Sequence, residues 1–410
     1  MSQRDALDKV IGRTKYVDDI ELPNMLHAKI LRSKYPHAKL LRVDTSEAER
    51  APGVRAVITA KDVPANRWGT IYEPPVFADE KVRFVGEPVA AVAAESLAEA
   101  EDALELIDVQ YEELPPVFDP KEALEPDAPK VHEIGNLSFR RKIICGDVES
   151  GFSQSDEIIE DEFSTQKVQH GHLEPHGAIG SVDASQRLTV WTSPGTFWRV
   201  YSNLLVALKI PATKLRFIRT AQGGGFGGKN YMSVECYVSL LAVKTKKPVK
   251  MIWTREEEFT AAPTRHNCRL SYKTGVKMDG RMVAREVTIT YDSGAYTIMG
   301  PRILEKGAVL SYGPYQIPHV KVEACLVHTN KVPGGAMRGF GAPQVVFAEE
   351  VHTDNIAERL GIDPLELRLR NVFRPGDRTA TGTVLHSVGI KETILKASQA
   401  AGWKLQETQA

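Results

Sequence analysis

Ala221-Gln-Gly-Gly-Gly-Phe-Gly-Gly-Lys229 places five glycines in the six positions from Gly223 to Gly228. Glycine inside a regular element costs roughly 0.5–1 kcal/mol relative to alanine, so such a cluster implies a compensating gain. The expected gain is close approach of bare backbone N–H groups to an anion or a bulky ligand. Upstream, Leu215 to Thr220 alternates with period two, as a strand does. Downstream, Val234, Tyr237, Val238 and Leu241 recur at helical spacing. Strand, glycine turn and helix in that order aim helix-start amides at a ligand. A merely tight turn is the alternative, but it needs one or two glycines rather than five.

A chain of 410 residues accommodates two or three domains. Its 42% hydrophobic and 26% charged content is that of a soluble globular protein. The balance of 52 basic against 53 acidic groups gives a net charge of −1, which argues against nucleic-acid and anionic-membrane partners. No stretch approaches the roughly 20 apolar residues of a membrane span. The opening Met1-Ser-Gln-Arg-Asp-Ala6 lacks the apolar core of a signal peptide, so a cytoplasmic location is expected. Cys145, Cys236, Cys268 and Cys325 are too dispersed for an iron–sulfur or zinc motif and read as reduced, structural thiols.

The first segment, residues 1–130, reads as a small α/β domain. Strands are expected at Leu26 to Arg32, at Val54 to Thr59, and on both sides of Gly86-Glu87-Pro88. A helix is expected to open at Ser96, with Glu99 completing a capping box, and to lead into a strand through Tyr111. Leu114 to Lys130, rich in Pro and Glu, reads as a linker. The second segment, residues 131–410, mixes strands (187–192, 215–220, 248–253, 269–273, 284–291) with helices near 200–208 and after the glycine turn, which is α+β. A second glycine-rich turn, Pro333-Gly-Gly-Ala-Met-Arg-Gly-Phe-Gly-Ala-Pro-Gln344, runs into a helix ending near Leu360, with Pro343 suited to its first turn. Asp363 caps a further helix, and 391–401 reads as the last one.

Gly223-Gly-Gly-Phe-Gly-Gly-Lys229 and Met337-Arg-Gly-Phe-Gly-Ala-Pro-Gln344 together resemble the large molybdenum-cofactor subunits of the xanthine dehydrogenase and aldehyde oxidase family. Gly12-Arg-Thr-Lys-Tyr-Val-Asp-Asp-Ile20 and Val85-Gly-Glu-Pro-Val-Ala90 resemble the start of that family's molybdenum region, and the likeness covers nearly all the chain in the family's order. It implies a hammerhead α/β domain followed by the first molybdenum-cofactor-binding domain. The cofactor would be molybdenum-molybdopterin, in its plain or its cytosine-dinucleotide form, with the metal held by the pterin and by no protein side chain. The resemblance assigns Gly195, Gln222, Gly224, Gly225, Phe226, Gly227, Met337 and Arg338 to cofactor binding. Arg338 would also be catalytic, and Asn230, Lys306 and Phe340 would face the substrate. The implied reaction is hydroxylation of an electron-poor N-heteroaromatic ring or an aldehyde, with water as the oxygen source.

Three places depart from the family's pattern. Trp191-Thr-Ser-Pro-Gly195 stands where the family often has a run ending in Gln, and Gln222 is the candidate substitute. Asn230 stands where xanthine-oxidising members carry Glu, and Lys306 where they carry Arg. Xanthine is therefore disfavoured, and a ring acid of the nicotinate kind is the expected match for a lysine. No candidate for the family's catalytic glutamate follows Gly402-Trp403, since Glu407 sits in a polar tail. The chain thus reads as half of a split site. A second molybdopterin-type subunit would supply that glutamate, and separate iron–sulfur and FAD subunits would carry the electrons.

Two rivals compete. His170, His172, Glu174 and His176 alternate, so a strand would set them on one face, where they could bind zinc or iron; the alternative is a hydrogen-bonded wall. A non-catalytic scaffold or nucleotide-binding subunit is the other rival, although Gly-Gly-Lys is followed by Asn230 rather than Ser or Thr. Arg255-Glu-Glu-Glu-Phe259 and Arg265-His266 read as solvated or structural features.

Overall fold

A computed structural model describes residues 5–67 and 74–403; Glu407 lies outside them. Pro88–Ala94 is almost wholly buried and made of small apolar side chains on both faces, which suits a central strand. It pairs antiparallel with both Leu26–Arg32 and Val54–Thr59. Leu26–Arg32 also pairs in parallel with Val249–Ile252, Leu26 opposite Val249. The sheet continues through Gly177–Val182, Leu188–Thr192 and Leu215–Arg219, making seven strands. Residues read as two segments, 1–130 and 131–410, therefore contribute to one sheet.

Leu97–Glu105 is helical behind the reciprocal Ser96–Glu99 capping box that its sequence announces. Val234–Thr245, the helix after the first glycine turn, is buried over its first nine residues. It lies so close to the sheet that a Cβ on Gly180 would come within 2.6 Å of the Val238 carbonyl.

A second, five-stranded sheet runs in the order Leu137–Cys145, His319–His328, Met282–Gly294, Cys268–Val276, Glu157–Thr165. Helices Gly300–Leu310 and Ala342–Leu360 pack on it. The latter starts after Gly341 (φ 91°) with Pro343 in its first turn, as expected. Arg285 and Glu349 make a buried ion pair of 2.9 Å between this sheet and that helix. Mixed helix and sheet across both regions is the α+β architecture expected. No helix among the described residues is long and apolar enough to cross a membrane.

Three local expectations are corrected. His170 to His176 is not a strand: Gly171 takes a positive φ of 61° and the strand begins only at Gly177. Of the two readings of residues 255–259, the structural one holds and the solvated one is corrected at Glu258, which the capped helix Arg255–Ala261 buries. Leu114 to Lys130 is tied down: Val117 is buried, and its N–H donates to Asn330 Oδ1 at 2.9 Å.

Candidate functional site

The two glycine-rich turns meet. The Arg338 N–H donates to the Phe226 carbonyl at 2.8 Å. A Cβ on Gly227 would stand 2.4 Å from the Ala336 carbonyl and 3.1 Å from the Met337 Cα, so glycine there permits the contact. Gly224 and Gly227 have φ values of 104° and 112°, and Phe226 between them is left-handed at 50°. The N–H groups of Gly224, Gly225, Phe226 and Gly227 donate to no acceptor among the described residues. Four consecutive unengaged amides on a glycine frame are suited to a polyanion.

Buried side chains support the first turn from behind. Glu174 Oε2 accepts from the Gly223 N–H at 2.8 Å, from Lys229 Nζ at 2.6 Å and from the Ser193 hydroxyl at 2.9 Å. Burial pushes the Lys229 ammonium's pKa down, while Glu174 pulls against that shift. The His170 Nε2–H donates to the Ala336 carbonyl at 2.8 Å, tying the support of one turn to the other.

His176 donates from Nε2 to the Gly228 carbonyl at 3.3 Å, and its Nδ1 lies 2.7 Å from Glu258 Oε1. Burial alone would raise the Glu258 carboxyl, but the His176 hydrogen bond and charge outweigh it and hold the pKa down at about 2. Burial, then the charge of His176, lowers His172 to about 4.

The second turn rests on backbone pairing. Gly334 and Gly335 pair with Thr264 and Arg265, and the Ala336 N–H donates to the Tyr231 hydroxyl. Arg265 Nη2 donates to the Arg338 carbonyl at 2.7 Å. A Cβ on Gly341 would meet the Ile303 carbonyl at 2.4 Å, so this turn sits directly on helix Gly300–Leu310. Phe340, at φ 55°, packs partly between two buried clusters.

The expected site residues fall as follows. Gly224, Gly225, Phe226, Gly227, Met337, Arg338 and Phe340 share the junction. Gln222 lies beside it, donating to the Ser193 carbonyl at 3.2 Å. Gly195 is fixed against the base of the turn: its N–H donates to the Lys229 carbonyl at 2.7 Å, and a Cβ would come within 2.3 Å of Asn230 Oδ1. The Gly195 amide is thus already used. Lys306 is exposed on the helix that carries Ile303, with no ion-pair partner among the described residues. Arg338 is exposed as well.

Sequence reasoning missed the supporting layer: Glu174 as the anchor of Lys229, Glu258 behind His176, and Glu235, whose carboxylate accepts from the Thr192 hydroxyl at 2.8 Å. Their partners lie 55, 82 and 43 residues away, so no local pattern reveals them. The four-residue metal face of His170, His172, Glu174 and His176 does not form. His170 and Glu174 turn to other partners, and Glu258 joins His172 and His176 instead.

Known proteins share both the sequence and the fold. Residues 11–115 match the family model of the aldehyde oxidase and xanthine dehydrogenase a/b hammerhead domain, and residues 131–372 that of the molybdopterin cofactor-binding domain. The chain is 39% identical over 400 residues to the nicotinate dehydrogenase large molybdopterin subunit of Eubacterium barkeri, covering 97% of this chain and 94% of that one. It is 34% identical over 417 residues to a xanthine dehydrogenase molybdenum-binding subunit of Escherichia coli, covering 98% of this chain and 55% of that one; the chain thus spans about half the length of that relative. The solved aldehyde oxidoreductase of Desulfovibrio gigas superposes with a TM-score of 0.92 at 31% identity, over 97% of this chain and 46% of that one.

Proposed function

The chain belongs to the aldehyde oxidase and xanthine dehydrogenase family and carries its hammerhead and molybdopterin cofactor-binding domains, and from that premise we propose that it is the large molybdopterin subunit of a multi-subunit molybdenum hydroxylase. Its substrate would be an electron-poor N-heteroaromatic compound or an aldehyde. When bound, the cofactor supplies the metal centre through which oxygen from water reaches carbon and two electrons leave.

The observation that carries this proposal is the junction of the two turns, with four unengaged amides beside an arginine whose backbone N–H and carbonyl are both engaged. The amides of Gly224 to Gly227 hold the cofactor's anionic oxygens. Gly224 and Gly227 take the positive φ the turn requires and lack the Cβ that would strike His172 and Ala336 behind it, and Met337 closes the junction. Arg338 contributes a permanent positive charge where negative charge develops. Phe340 stacks on an aromatic ring, Asn230 borders the substrate, and Lys306 attracts a ring carboxylate. Gln222 takes the hydrogen-bonding place left by the departure at Trp191 to Gly195.

A second molybdopterin-type subunit completes the site with a carboxylate base, and iron–sulfur and FAD subunits receive the electrons. Three exposed apolar side chains on segments that touch the first turn, Leu173, Phe226 and Trp198, suit coverage by such a partner. The cofactor's cytosine-dinucleotide form, a cytoplasmic location and the division at residues 130 and 131 belong to the same proposal.

The test is molybdenum content and hydroxylase activity of the purified complex, with and without Arg338→Ala. The expected result is molybdenum in the complex and, in the variant, a loss of turnover of about 100-fold or more. An active complex free of molybdenum would end the proposal.

A further inference from the structure

Behind the first turn, three buried groups converge with too few protons among them. His172 and Glu258 are each 1% exposed, and His176 is 4% exposed. His172 Nδ1 lies 2.7 Å from the Glu174 carbonyl, and His176 Nε2 lies 3.3 Å from the Gly228 carbonyl. A carbonyl only accepts, so both of these nitrogens carry hydrogen. The opposite nitrogens, Nε2 of His172 and Nδ1 of His176, face the same carboxylate.

A second proton on His176 satisfies its 2.7 Å contact with Glu258 Oε1. It does nothing for the other pair. His172 Nε2 and Glu258 Oε2 stand 3.6 Å apart, and neither has a hydrogen-bond partner among the described residues. Two lone pairs face each other across a gap too long for a hydrogen bond, with water excluded from both atoms.

From this geometry we infer that His172, His176 and Glu258 form a binding site for a first-row divalent cation such as zinc, separate from the molybdenum cofactor. Three observations agree with it. The ligand atoms of the three residues all lie within 4.8 Å of one another. Two ligands about 2.1 Å from an ion and 3.6 Å from each other subtend an angle of roughly 118°, close to tetrahedral. Both histidines donate their remote N–H to a backbone carbonyl, the arrangement that fixes the tautomer of metal-bound imidazole.

Access exists as well. A cavity of about 80 Å³, lined by Arg32, Pro75, Tyr231, Tyr237 and Trp253, reaches His176. The ion would tie three stretches together: the segment before Gly177, the helix Arg255–Ala261 and, through Gly228, the base of the first turn. Its role is to stiffen the support of that turn.

The experiment uses the purified complex, dialysed against chelator and then titrated with zinc chloride, and in parallel with cobalt chloride. Metal per chain is read by elemental analysis, and cobalt geometry by its visible absorption. One zinc per chain beyond any molybdenum is expected, with tetrahedral-type cobalt bands. His172→Asn and Glu258→Gln should bind zinc at least about tenfold more weakly, whereas His170→Asn, in the same segment but outside the triad, should bind it normally. Circular dichroism confirms that each variant is folded; if Glu258→Gln does not fold, His172→Asn alone decides, because it leaves the His176–Glu258 bond and the His176 bond to Gly228 intact. Failure of the wild-type complex to take up zinc, or uptake unchanged in folded His172→Asn, would overturn the inference. The readout is zinc per chain rather than molybdenum per chain, so the two proposals are tested separately.

Discussion

The turn at Gly223–Lys229 is held from behind by buried side chains, whereas the turn at Pro333–Gly341 commits its own backbone groups to strand pairing and to the side chains of Tyr231, His170 and Arg265. Glu174, Lys229, His170 and His176 stand under the first, and the amides of Gly224 to Gly227 face outward with no acceptor among the described residues. In the second, the glycines pair with Thr264 and Arg265, and the Ala336 N–H is taken by Tyr231. The first turn offers backbone to a ligand and therefore needs its anchors elsewhere. The second turn uses its backbone to stand still, and so fixes where the side chains of Arg338 and Phe340 begin.

The largest expected effect is in acid, where His172 behind the first turn, lowered by burial to about 4, acts in the same direction as three histidines near the second. His266, packed against Gly334, and His328 are buried near the second turn, and His132 is partly buried beside His328. Burial, with neighbouring positive charge, lowers His132 and His266 to about 3, and burial lowers His328 to about 4, all from an ordinary value of 6.5. Between those values and 6.5 the unfolded chain binds protons that the folded chain does not, so stability falls as pH drops through that window. Glu349, pushed up by burial to about 7, opposes this above its ordinary 4.5. Denaturant midpoints measured from pH 7 to pH 4 should fall, and His132→Gln should flatten the slope. A midpoint that rises on acidification would contradict this account of the two turns.

Next in size is the loss of an anchor under the first turn. Glu174→Ala leaves Lys229, 3% exposed, charged and unpaired, which costs about 3–5 kcal/mol. Chemical denaturation measures it, and a loss under about 1 kcal/mol, the range of an exposed pair, would show that the carboxylate is dispensable. Smaller again is Gly227→Ala. A methyl there meets the Ala336 carbonyl at 2.4 Å with φ at 112°, a strain of about 1–3 kcal/mol. Its clearer sign would be molybdenum occupancy falling while the fold persists. The smallest effect is expected at Lys306. Lys306→Met should raise the Michaelis constant for carboxylate-bearing substrates a few-fold, in keeping with an exposed charge pair. An equal rise for neutral substrates would remove Lys306 from substrate recognition.

Much of this is legible in the residues alone. Glycine clusters announce themselves because so few backbones require them, and the Ser96–Glu99 and Asp363 caps are local devices that the structure reproduces. What stays hidden depends on distance in the chain. Glu256, Glu257 and Glu258 look alike in sequence, yet only Glu258 is buried, because it alone meets His176 from 82 residues away. Alternating histidines suggest a strand, but Gly171 turns the backbone left-handed and sends His170 to the second turn while His172 goes to Glu258. Helix Val234–Thr245 is visible as a period, but its near-complete burial is not. Its cover comes from the sheet beneath it, from helix Phe197–Leu208 and from the segment at Val76 and Phe77.

The parallel pairing of Leu26 with Val249 sets an order of events at the ribosome. That ladder cannot zip until some 220 further residues have been synthesised, because loop closure over such a separation must precede it. Until then strand Leu26–Arg32 is paired on one side only, with Pro88–Ala94. At about 5–20 residues per second that strand edge stays open for on the order of 10–40 s of synthesis, a window in which it is free to pair with a wrong strand.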